Sequence, residues 1–222
     1  MKGFAVSDNR LIKAKKIESV LNDYLEKRVT GLKILDIGAG DGAISSYFTS
    51  LGNTVTCVDI EDQRTGKEAK FVQVNSAKLP MQSNQFDVVI SNHVIEHISE
   101  QKLHLKEIKR VLKEDGVCYL ATPNRNFPVE PHYKIPLLHY LPPNLFIVIL
   151  KISGLYKEDL YLLSYFEMKR MFNEFAVKEY TAEVLKNPEN NNISWKLISK
   201  LPMGIIKSMV FISPTNIFIL KK

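Results

Sequence analysis

The feature that most constrains the fold is an alternation of short apolar runs and helical patterns between residues 32 and 123. The apolar runs show no polar alternation, which is typical of strands that are buried on both faces of a sheet. Strands that alternate with helices pair in parallel. We therefore predict an α/β fold, a doubly wound sheet with helices on both faces. Its first five strands are predicted over 32–38, 55–60, 70–74, 86–91 and 117–123.

Segments outside the first five strands complete the predicted architecture. A capping box, with Ser164 at the N-cap and Glu167 three residues later, predicts a helix that runs through Phe175. A sixth strand is predicted over 177–185 and a seventh over 215–222. We expect the last strand to be antiparallel and to insert between the fifth and the sixth. The remaining helices are predicted over 8–28, 41–51 and 99–113.

The composition excludes several classes of protein. The 222 residues are 45% apolar and 24% charged, a globular balance that excludes a disordered, collagen-like or coiled-coil chain. The two cysteines, Cys57 and Cys118, fall inside predicted strands and match no metal-ligand spacing, so a disulfide scaffold is also excluded. The first residues show no apolar signal-peptide core. A cytoplasmic, reducing environment is expected.

The motif with the clearest chemistry is LDIGAGDG at 35–42, where a predicted strand leads directly into a helix. Gly38, Gly40 and Gly42 let the backbone approach a ligand, and the helix N-terminus offers free amide groups. Asp59 ends the next strand, 21 residues after Gly38. Nucleotide-binding folds place at this point an acid that accepts hydrogen bonds from the ribose hydroxyls. The segment therefore predicts a nucleoside-binding site.

The glycine pattern alone does not identify the nucleotide. Gly38, Gly40 and Ala43 also satisfy the G-x-G-x-x-A form of the dinucleotide fingerprint. A nicotinamide-dependent oxidoreductase is therefore an open alternative, which a thermal-shift measurement with NAD would test.

Four segments together resemble class I S-adenosylmethionine-dependent methyltransferases. LDIGAGDG resembles the first motif of that family, and CVDI at 57–60 resembles the strand end with its ribose-binding acid. Residues 75–98 resemble the adenine loop, the fourth strand and the Glu-His pair that follows it. Residues 107–124 resemble the next helix, turn and strand. Each motif alone is weakly specific, whereas four in this order and spacing are specific. The resemblance covers about residues 30–124 and, more loosely, 164–222.

The resemblance implies a Rossmann-like, doubly wound, seven-stranded sheet whose last strand is antiparallel, with a helical insertion after the fifth strand. It divides a single domain over 1–222 into four parts. These are an N-terminal helix (1–30), a cofactor-binding half (31–124), an acceptor-site insertion (125–163) and a C-terminal half that closes the sheet (164–222). S-Adenosyl-L-methionine is the implied cofactor, and methyl transfer is the implied reaction.

The resemblance also implies the residues of the cofactor site. Asp36 would help to hold the methionine ammonium, Asp59 would bind the ribose, and Ile60 would lie against the adenine ring. Asn75 stands where relatives commonly carry Asp, and its side-chain oxygen can still accept from adenine, without the strength of a charged group. The other implied cofactor-binding residues are Gly38, Ala39, Gly40, Gly42, Ser76, Ser91 and Asn92.

The chemistry of methyl transfer limits what the chain must supply. Transfer from a sulfonium is an in-line displacement, so the protein mainly aligns the reactants in a dry pocket. A base is needed only if the acceptor carries a proton of high pKa. His93, after the predicted fourth strand, is the predicted catalytic residue, with simple packing under the insertion as the alternative. Glu96 and His97 match a pair common in the family and are interpreted as mainly structural.

Several histidine and acidic side chains could form a metal site, but we do not predict one. His93, Glu96 and His97 share one face of a predicted helix, and His132 of the insertion could join them. Some relatives, among them ubiquinone O-methyltransferases and a small-RNA methyltransferase, hold a divalent ion with an acid at the position that is His93 here. Because single His and Glu side chains on a helix are more often packing groups, we expect no metal.

The insertion indicates the kind of acceptor. Residues 128–156 are rich in apolar and aromatic side chains, which favours a small acceptor that is apolar or lipid-linked. The sequence SNHV follows the fourth strand in place of the NPPY or DPPY of enzymes that methylate amino groups of DNA bases and glutamine. Nucleic acid is therefore not expected as a partner. An RNA methyltransferase and a non-catalytic nucleoside-binding subunit stay open as alternatives.

Basic charge is concentrated at the two ends of the chain. Residues 1–33 carry a net charge of +4 and residues 186–222 a net charge of +5, within a total of +6. Lys and Arg beside anionic lipids contribute about 1 kcal/mol each. Together with the apolar block at 135–155, the charges favour an enzyme that visits a membrane surface. A solvated basic rim and a packed cap over a small polar substrate are the competing interpretation.

Overall fold

The computed structural model describes residues 8–130, 132–188 and 197–222. Its strands are β1 (Lys33–Ile37), β2 (Thr54–Asp59), β3 (Lys70–Gln73), β4 (Phe86–Asn92), β5 (Leu112–Pro123), β6 (Ala176–Glu179) and β7 (Thr215–Lys221). They form one sheet in the order β3-β2-β1-β4-β5-β7-β6. The first five strands pair in parallel, and β7 is antiparallel to both of its neighbours. The predicted seven-stranded sheet is confirmed, including the insertion of the last strand between the fifth and the sixth.

Helices lie on both faces of this sheet. The α-helices of the described residues are α1 (Asp8–Leu25), α2 (Ala43–Ser50), α3 (Gln101–Val111), α4 (Pro143–Ile152), α5 (Tyr165–Met171), α6 (Thr181–Lys186) and α7 (Met203–Met209). Short 3-10 turns lie at Ile95–His97, Leu138–Tyr140, Ile198–Lys200 and Val210–Ile212. Among these elements, none is a helix long and apolar enough to cross a bilayer.

The hydrophobic core is divided by the sheet into two layers. The consecutive β1 residues Ile34 and Leu35 are fully buried in different layers, because successive side chains of a strand point to opposite faces. Ile34 packs in the layer that contains Phe48 of α2, and Leu35 in the layer that contains Ile108 of α3. Burial on both faces explains why the strands appear in the sequence as continuous apolar runs.

The predicted sixth strand over 177–185 is wrong in its second half. β6 ends at Glu179, and residues 181–186 form α6. The Glu179 side chain accepts a hydrogen bond from Thr181 N (2.5 Å), which begins the helix. Ala182 and Leu185 then share one helical face and pack against α7. This tertiary contact selects a helix for a segment whose apolar pattern alone also permits a strand.

Several helix boundaries also differ from the prediction, among them the ends of α3 and α5. The predicted helix over 99–113 ends at Val111, because Leu112 already pairs with Phe86 of β4. The next pair joins Val88 to Val117, so β5 has extra residues at this point and the register shifts. The predicted capping box is confirmed, since Ser164 Oγ accepts from Glu167 N (3.3 Å) and Ser164 N donates to Glu167 Oε2 (2.8 Å). Its helix, however, ends at Met171 rather than Phe175.

Candidate functional site

The turn after β1 requires glycine at more than one position. Gly38, Gly40 and Gly42 have φ angles of +69°, +53° and +77°, in the left-handed region that side chains disfavour. A Cβ atom at Gly38 would lie 2.5 Å from Cγ2 of Val94, and one at Gly42 would lie 2.8 Å from Cγ of Arg64. The chain at this turn therefore has neither the conformation nor the space for a side chain.

Asp59 connects the glycine turn to the end of β2. Its two carboxylate oxygens accept hydrogen bonds from Gly40 N (2.8 Å) and from Ile60 N (2.7 Å). The acid therefore holds the turn against the second strand while it lines the neighbouring cavity. Each carboxylate oxygen can accept more than one hydrogen bond, so both can also receive bonds from a ligand.

A cavity of about 560 Å³ opens at the carboxyl ends of β1, β2 and β4. Open α/β sheets bind their ligands at the carboxyl ends of the strands, and the volume of this cavity suits a small molecule. Half of the twelve residues predicted for the site line this cavity. They are Gly38, Asp59, Ile60, Asn75, Ser76 and His93.

The other six predicted residues lie outside the lining. Ala39, Gly40 and Gly42 belong to the glycine turn beside the cavity, and Asn92 ends β4. Asp36 and Ser91 are almost completely buried within β1 and β4. The structure therefore brings the nucleoside-binding candidates and His93 around one space, and it places Asp36 and Ser91 beneath the surface of the sheet edge.

The buried carboxyl group of Asp36 has an unusual protonation equilibrium. Burial raises the pKa of Asp36 to about 7. The nearby Asp59 charge acts in the same direction, whereas the hydrogen bond from Ser45 Oγ (2.5 Å) opposes it. At neutral pH the carboxyl group is therefore close to half protonated. A cation bound nearby would favour its charged form.

His104 is a buried residue of the cavity that the sequence analysis did not identify. Its Nε2 lies 3.1 Å from Ser91 Oγ, and its ring lines the cavity. Burial lowers the pKa of His104 to about 4, so the ring is neutral at physiological pH. The available signal was a histidine on the apolar face of the predicted helix over 99–113, since His104 is buried with Leu105 and Ile108.

His93 lies at the wall of the cavity in a left-handed conformation. Its φ of +59° is uncommon for a residue with a side chain, and such strain clusters at functional sites. The backbone is held there because His93 N donates to Ala121 O (2.8 Å). His93 Nδ1 lies 3.3 Å from Oε1 of Glu96. The expectation of one continuous helical face through His93 is wrong, because the turn begins only at Ile95.

Glu96 is completely buried at the base of this turn. Thr122 Oγ1 donates to its Oε2 (3.0 Å), whereas Oε1 has no well-formed hydrogen bond among the described residues. Burial acts to raise the pKa of Glu96, but the contact with His93, a backbone hydrogen bond and the nearby His97 together outweigh it, and the pKa lies below its usual range. A charged carboxylate oxygen is therefore held in the interior beside His93.

Glu96, His97 and His132 form a cluster, although their sequence positions span 37 residues. One ligand atom from each lies within 4.8 Å of the others. The Nδ1 atoms of both histidines are turned to carboxylates, His132 to Glu130 (2.7 Å) and His97 to Glu158 (3.3 Å). Such carboxylate partners orient metal-binding histidines and leave Nε2 for an ion. The residues therefore fit a divalent cation, a site that the sequence analysis weighed but did not predict.

The chain is similar in sequence to known methyltransferases. A family described as "Methyltransferase domain" matches residues 35–120. The chain is 27% identical over 122 residues to a ubiquinone biosynthesis O-methyltransferase of Pelagibacter ubique, covering 49% of this chain and 50% of that protein. It is 31% identical over 106 residues to the protein of the same name from Dinoroseobacter shibae, with 43% of each covered. The chain therefore spans about half the length of the curated relatives it matches.

Solved structures show the same fold along most of the chain. An S-adenosylmethionine-dependent methyltransferase from Mesorhizobium loti has a TM-score of 0.60 at 15% identity, and the match covers 87% of this chain and 92% of that one. At this identity the likeness concerns the fold alone.

Proposed function

We propose that this chain, whose residues 35–120 match the family described as "Methyltransferase domain", transfers a methyl group from S-adenosylmethionine to a small apolar or lipid-linked acceptor. The proposal rests on one observation, that Gly38 of the glycine turn, Asp59 and His93 all line the same cavity. The glycine turn and Asp59 suit the nucleoside of the cofactor. The side chain of His93 lies at the same cavity and can accept a proton.

The lining of the cavity fits the cofactor residue by residue. Oxygens of Asp59 can accept hydrogen bonds from the ribose hydroxyls. Ile60 is 69% exposed at the cavity, which leaves an apolar surface against which adenine can stack. Asn75 and Ser76 follow as polar groups for the edge of the base. The tight turn at Gly38 brings backbone within reach of the amino-acid tail.

The chain's part in the reaction is alignment and proton transfer. When bound, S-adenosylmethionine supplies a methyl group on a sulfonium, and the thioether that leaves keeps the electron pair of the broken bond. His93 is proposed to take the acceptor's proton. Its Nδ1 is next to Glu96, and Nε2 is then the atom that accepts. The buried carboxylate of Glu96 stabilises the imidazolium that forms, because opposite charges attract strongly at low dielectric.

The cluster of Glu96, His97 and His132 adds a second element to this proposal. Two nitrogen ligands and one carboxylate are a donor set that zinc and similar divalent ions accept. Such an ion would supply a Lewis acid that lowers the pKa of an acceptor hydroxyl. Because His97 also lines the cavity, the ion would lie beside the acceptor position.

The proposed acceptor class is supported by the insertion and by the relatives. The insertion contributes Glu158 to the cavity wall, and it carries exposed apolar side chains that include Leu137, Leu145 and Val148. Relatives named ubiquinone biosynthesis O-methyltransferases support oxygen methylation of a small molecule. An acceptor with a long apolar chain is concentrated in bilayers, so peripheral contact with a membrane is part of the proposal.

The direct test uses S-adenosylmethionine with a radiolabelled methyl group. The purified chain is incubated with a cell extract that has been separated into organic-soluble material, aqueous small molecules and RNA. Label should enter the organic-soluble fraction. Asp59→Ala should abolish the transfer, whereas the control Asp115→Ala, at a side chain that is 97% exposed, should not affect it.

Other outcomes separate the alternatives. Label in RNA alone would replace the proposal with an RNA methyltransferase. Cofactor binding by calorimetry without label in any fraction would support a non-catalytic subunit. Binding of NAD but not of S-adenosylmethionine would indicate an oxidoreductase.

A further inference from the structure

Helix α4 of the insertion has an apolar side that no described element covers. Phe146 and Leu150 are buried and attach the helix to the domain. Leu145, Val148 and Ile152 are 47%, 48% and 82% exposed. Positions i, i+3 and i+7 lie on one side of a helix, so these three form a continuous apolar stripe. Such a stripe is typical of an interaction surface.

A second apolar group comes from α7 and the turn after it. Ile206 and Val210 face inward and pack against α6. Ile205, Phe211 and Ile212 remain 46%, 43% and 41% exposed. Together with the stripe of α4, these three residues are called the apolar edge below.

Both parts of the apolar edge are attached to the chain that leaves β5. Asn124 Nδ2 donates to Phe211 O (2.8 Å). Two residues later, Asn126 O accepts from Tyr140 Oη (2.8 Å), in the turn that precedes α4. The carboxyl ends of β1, β4 and β5 lie at the same end of the sheet, because these strands are parallel. The apolar edge therefore flanks the end of the sheet at which the cavity opens.

The two segments that carry the apolar edge contain lysines and no acidic residue, and the acids Glu158 and Asp159 follow directly after the first segment. Residues 134–157 and 197–214 contain five of the 30 basic residues of the chain and none of its 24 acidic residues, so they account for +5 of the net charge of +6. The five lysines are all exposed. They are Lys134, Lys151, Lys157, Lys200 and Lys207.

The insertion also connects the apolar edge to the wall of the cavity. Phe146, on the inner side of α4, packs edge-on against Tyr133 with ring centres 6.0 Å apart. Tyr133 Oη donates to Glu158 O (2.9 Å) and accepts from Lys157 N (3.1 Å). Glu158 lines the cavity. The side chains of Phe146 and Tyr133 therefore connect α4 to the cavity wall.

We propose that the apolar edge and its five lysines dock the protein on an anionic bilayer. Apolar side chains that project from two separate elements can enter the boundary between headgroups and acyl chains, and the lysines attract anionic headgroups. The charge pattern favours an anionic bilayer, because the five exposed lysines lie on the same two segments as the apolar side chains and a bilayer offers anionic headgroups beside an apolar layer. The inference rests on the proposed function in one respect, that docking brings the cavity to a lipid-linked acceptor.

The test is co-sedimentation of the full chain with vesicles, without cofactor or acceptor. The vesicles contain phosphatidylcholine, either alone or with phosphatidylglycerol. We expect binding to the anionic vesicles at low salt and weaker binding at 0.5 M salt, because ions screen exposed charges. Val148→Ser with Ile152→Ser should weaken binding tenfold or more. Lys151→Gln and Lys207→Gln should weaken it about fivefold each.

Matched controls lie at the opposite end of the sheet, where the parallel strands begin. Val177→Ser, at the start of β6, and Lys70→Gln, at the start of β3, should leave vesicle binding unchanged. Circular dichroism confirms that each variant is folded. The proposal is overturned if the wild type does not bind anionic vesicles, or if the α4 variant binds as well as the controls. It is also overturned if analytical ultracentrifugation shows that the apolar edge joins two copies of the chain. Vesicle binding without methyl transfer would refute only the proposed function.

Discussion

Replacement of Asp36 by Asn tests the electrostatics beneath the cofactor site. The side chain is 1% exposed, and burial raises its pKa from 3.8 to about 7. About three pKa units correspond to up to about 4 kcal/mol, since each unit is worth 1.36 kcal/mol. This is the cost of ionising Asp36 in the folded protein relative to the unfolded chain.

The sign of the pH dependence follows from proton binding. Between pH 4 and pH 7 the folded state binds the Asp36 proton more tightly than the unfolded state does. The free energy of unfolding contributed by this group therefore falls as pH rises through that window, and it is constant above it. Asp36→Asn lacks the titration. The buried amide adds a constant penalty of about 1–3 kcal/mol for an unpaired donor, which does not depend on pH.

The assay is urea denaturation of both proteins at several pH values between 4 and 8.5. The stability of Asp36→Asn relative to wild type should rise by up to about 4 kcal/mol across this range. His104, whose pKa is lowered to about 4, has the opposite pH dependence in the same window. It is present in both proteins and cancels in the difference. Parallel stability profiles would refute the reasoning about Asp36.

Cofactor binding provides a second readout for the same variant. The ammonium group of S-adenosylmethionine should bind the ionised form of Asp36 more tightly than the protonated form. Wild-type affinity should therefore fall as pH drops below about 7, and the affinity of Asp36→Asn should be weaker and independent of pH in this range. Calorimetric titrations with the same slope for both proteins would show that Asp36 does not face the ammonium.

Substitutions at four further positions test other parts of the structure. Asp59→Ala should remove the two proposed hydrogen bonds to the ribose, each worth about 1.5–3 kcal/mol, and calorimetry should show cofactor affinity reduced tenfold or more; an unchanged Kd would mean that the site is elsewhere. His93→Ala should lower turnover by roughly 10²–10⁴-fold with little change in cofactor Kd, and wild-type turnover would reduce His93 to a packing role. Gly38→Ala, with its Cβ 2.5 Å from Val94, should lower the free energy of unfolding by about 1–3 kcal/mol in urea; an unchanged value would show that the turn accommodates the methyl group. Ser164→Ala should cost about 1 kcal/mol by the same measurement, and Ser164→Thr should restore most of it; equal stability of all three proteins would show that the cap contributes nothing.

Local patterns were sufficient where the physical cause is local. A strand such as β1 is buried on both faces, so apolar Ile34, Leu35 and Ile37 fill both sides, and the run is visible without knowledge of its neighbours. The glycine turn is visible because a positive φ angle excludes most side chains at Gly38 and Gly42. The capping box is visible because its two hydrogen bonds join residues three positions apart.

Tertiary packing decided the remaining features, because their causes act between residues distant in sequence. The segment over 181–186 is a helix rather than a strand because α7 covers its apolar face. His132 comes to Glu96 only because the insertion folds back over the turn after β4, and His104 meets Ser91 only because α3 packs on the sheet. The sequence by itself thus determined the sheet, the glycine turn and the position of Asp59 at the end of β2, which depend on short-range periodicity and backbone conformation. Only the tertiary structure decided the protonation of Asp36 and the histidine cluster, because burial and contact between distant residues arise when the chain is folded.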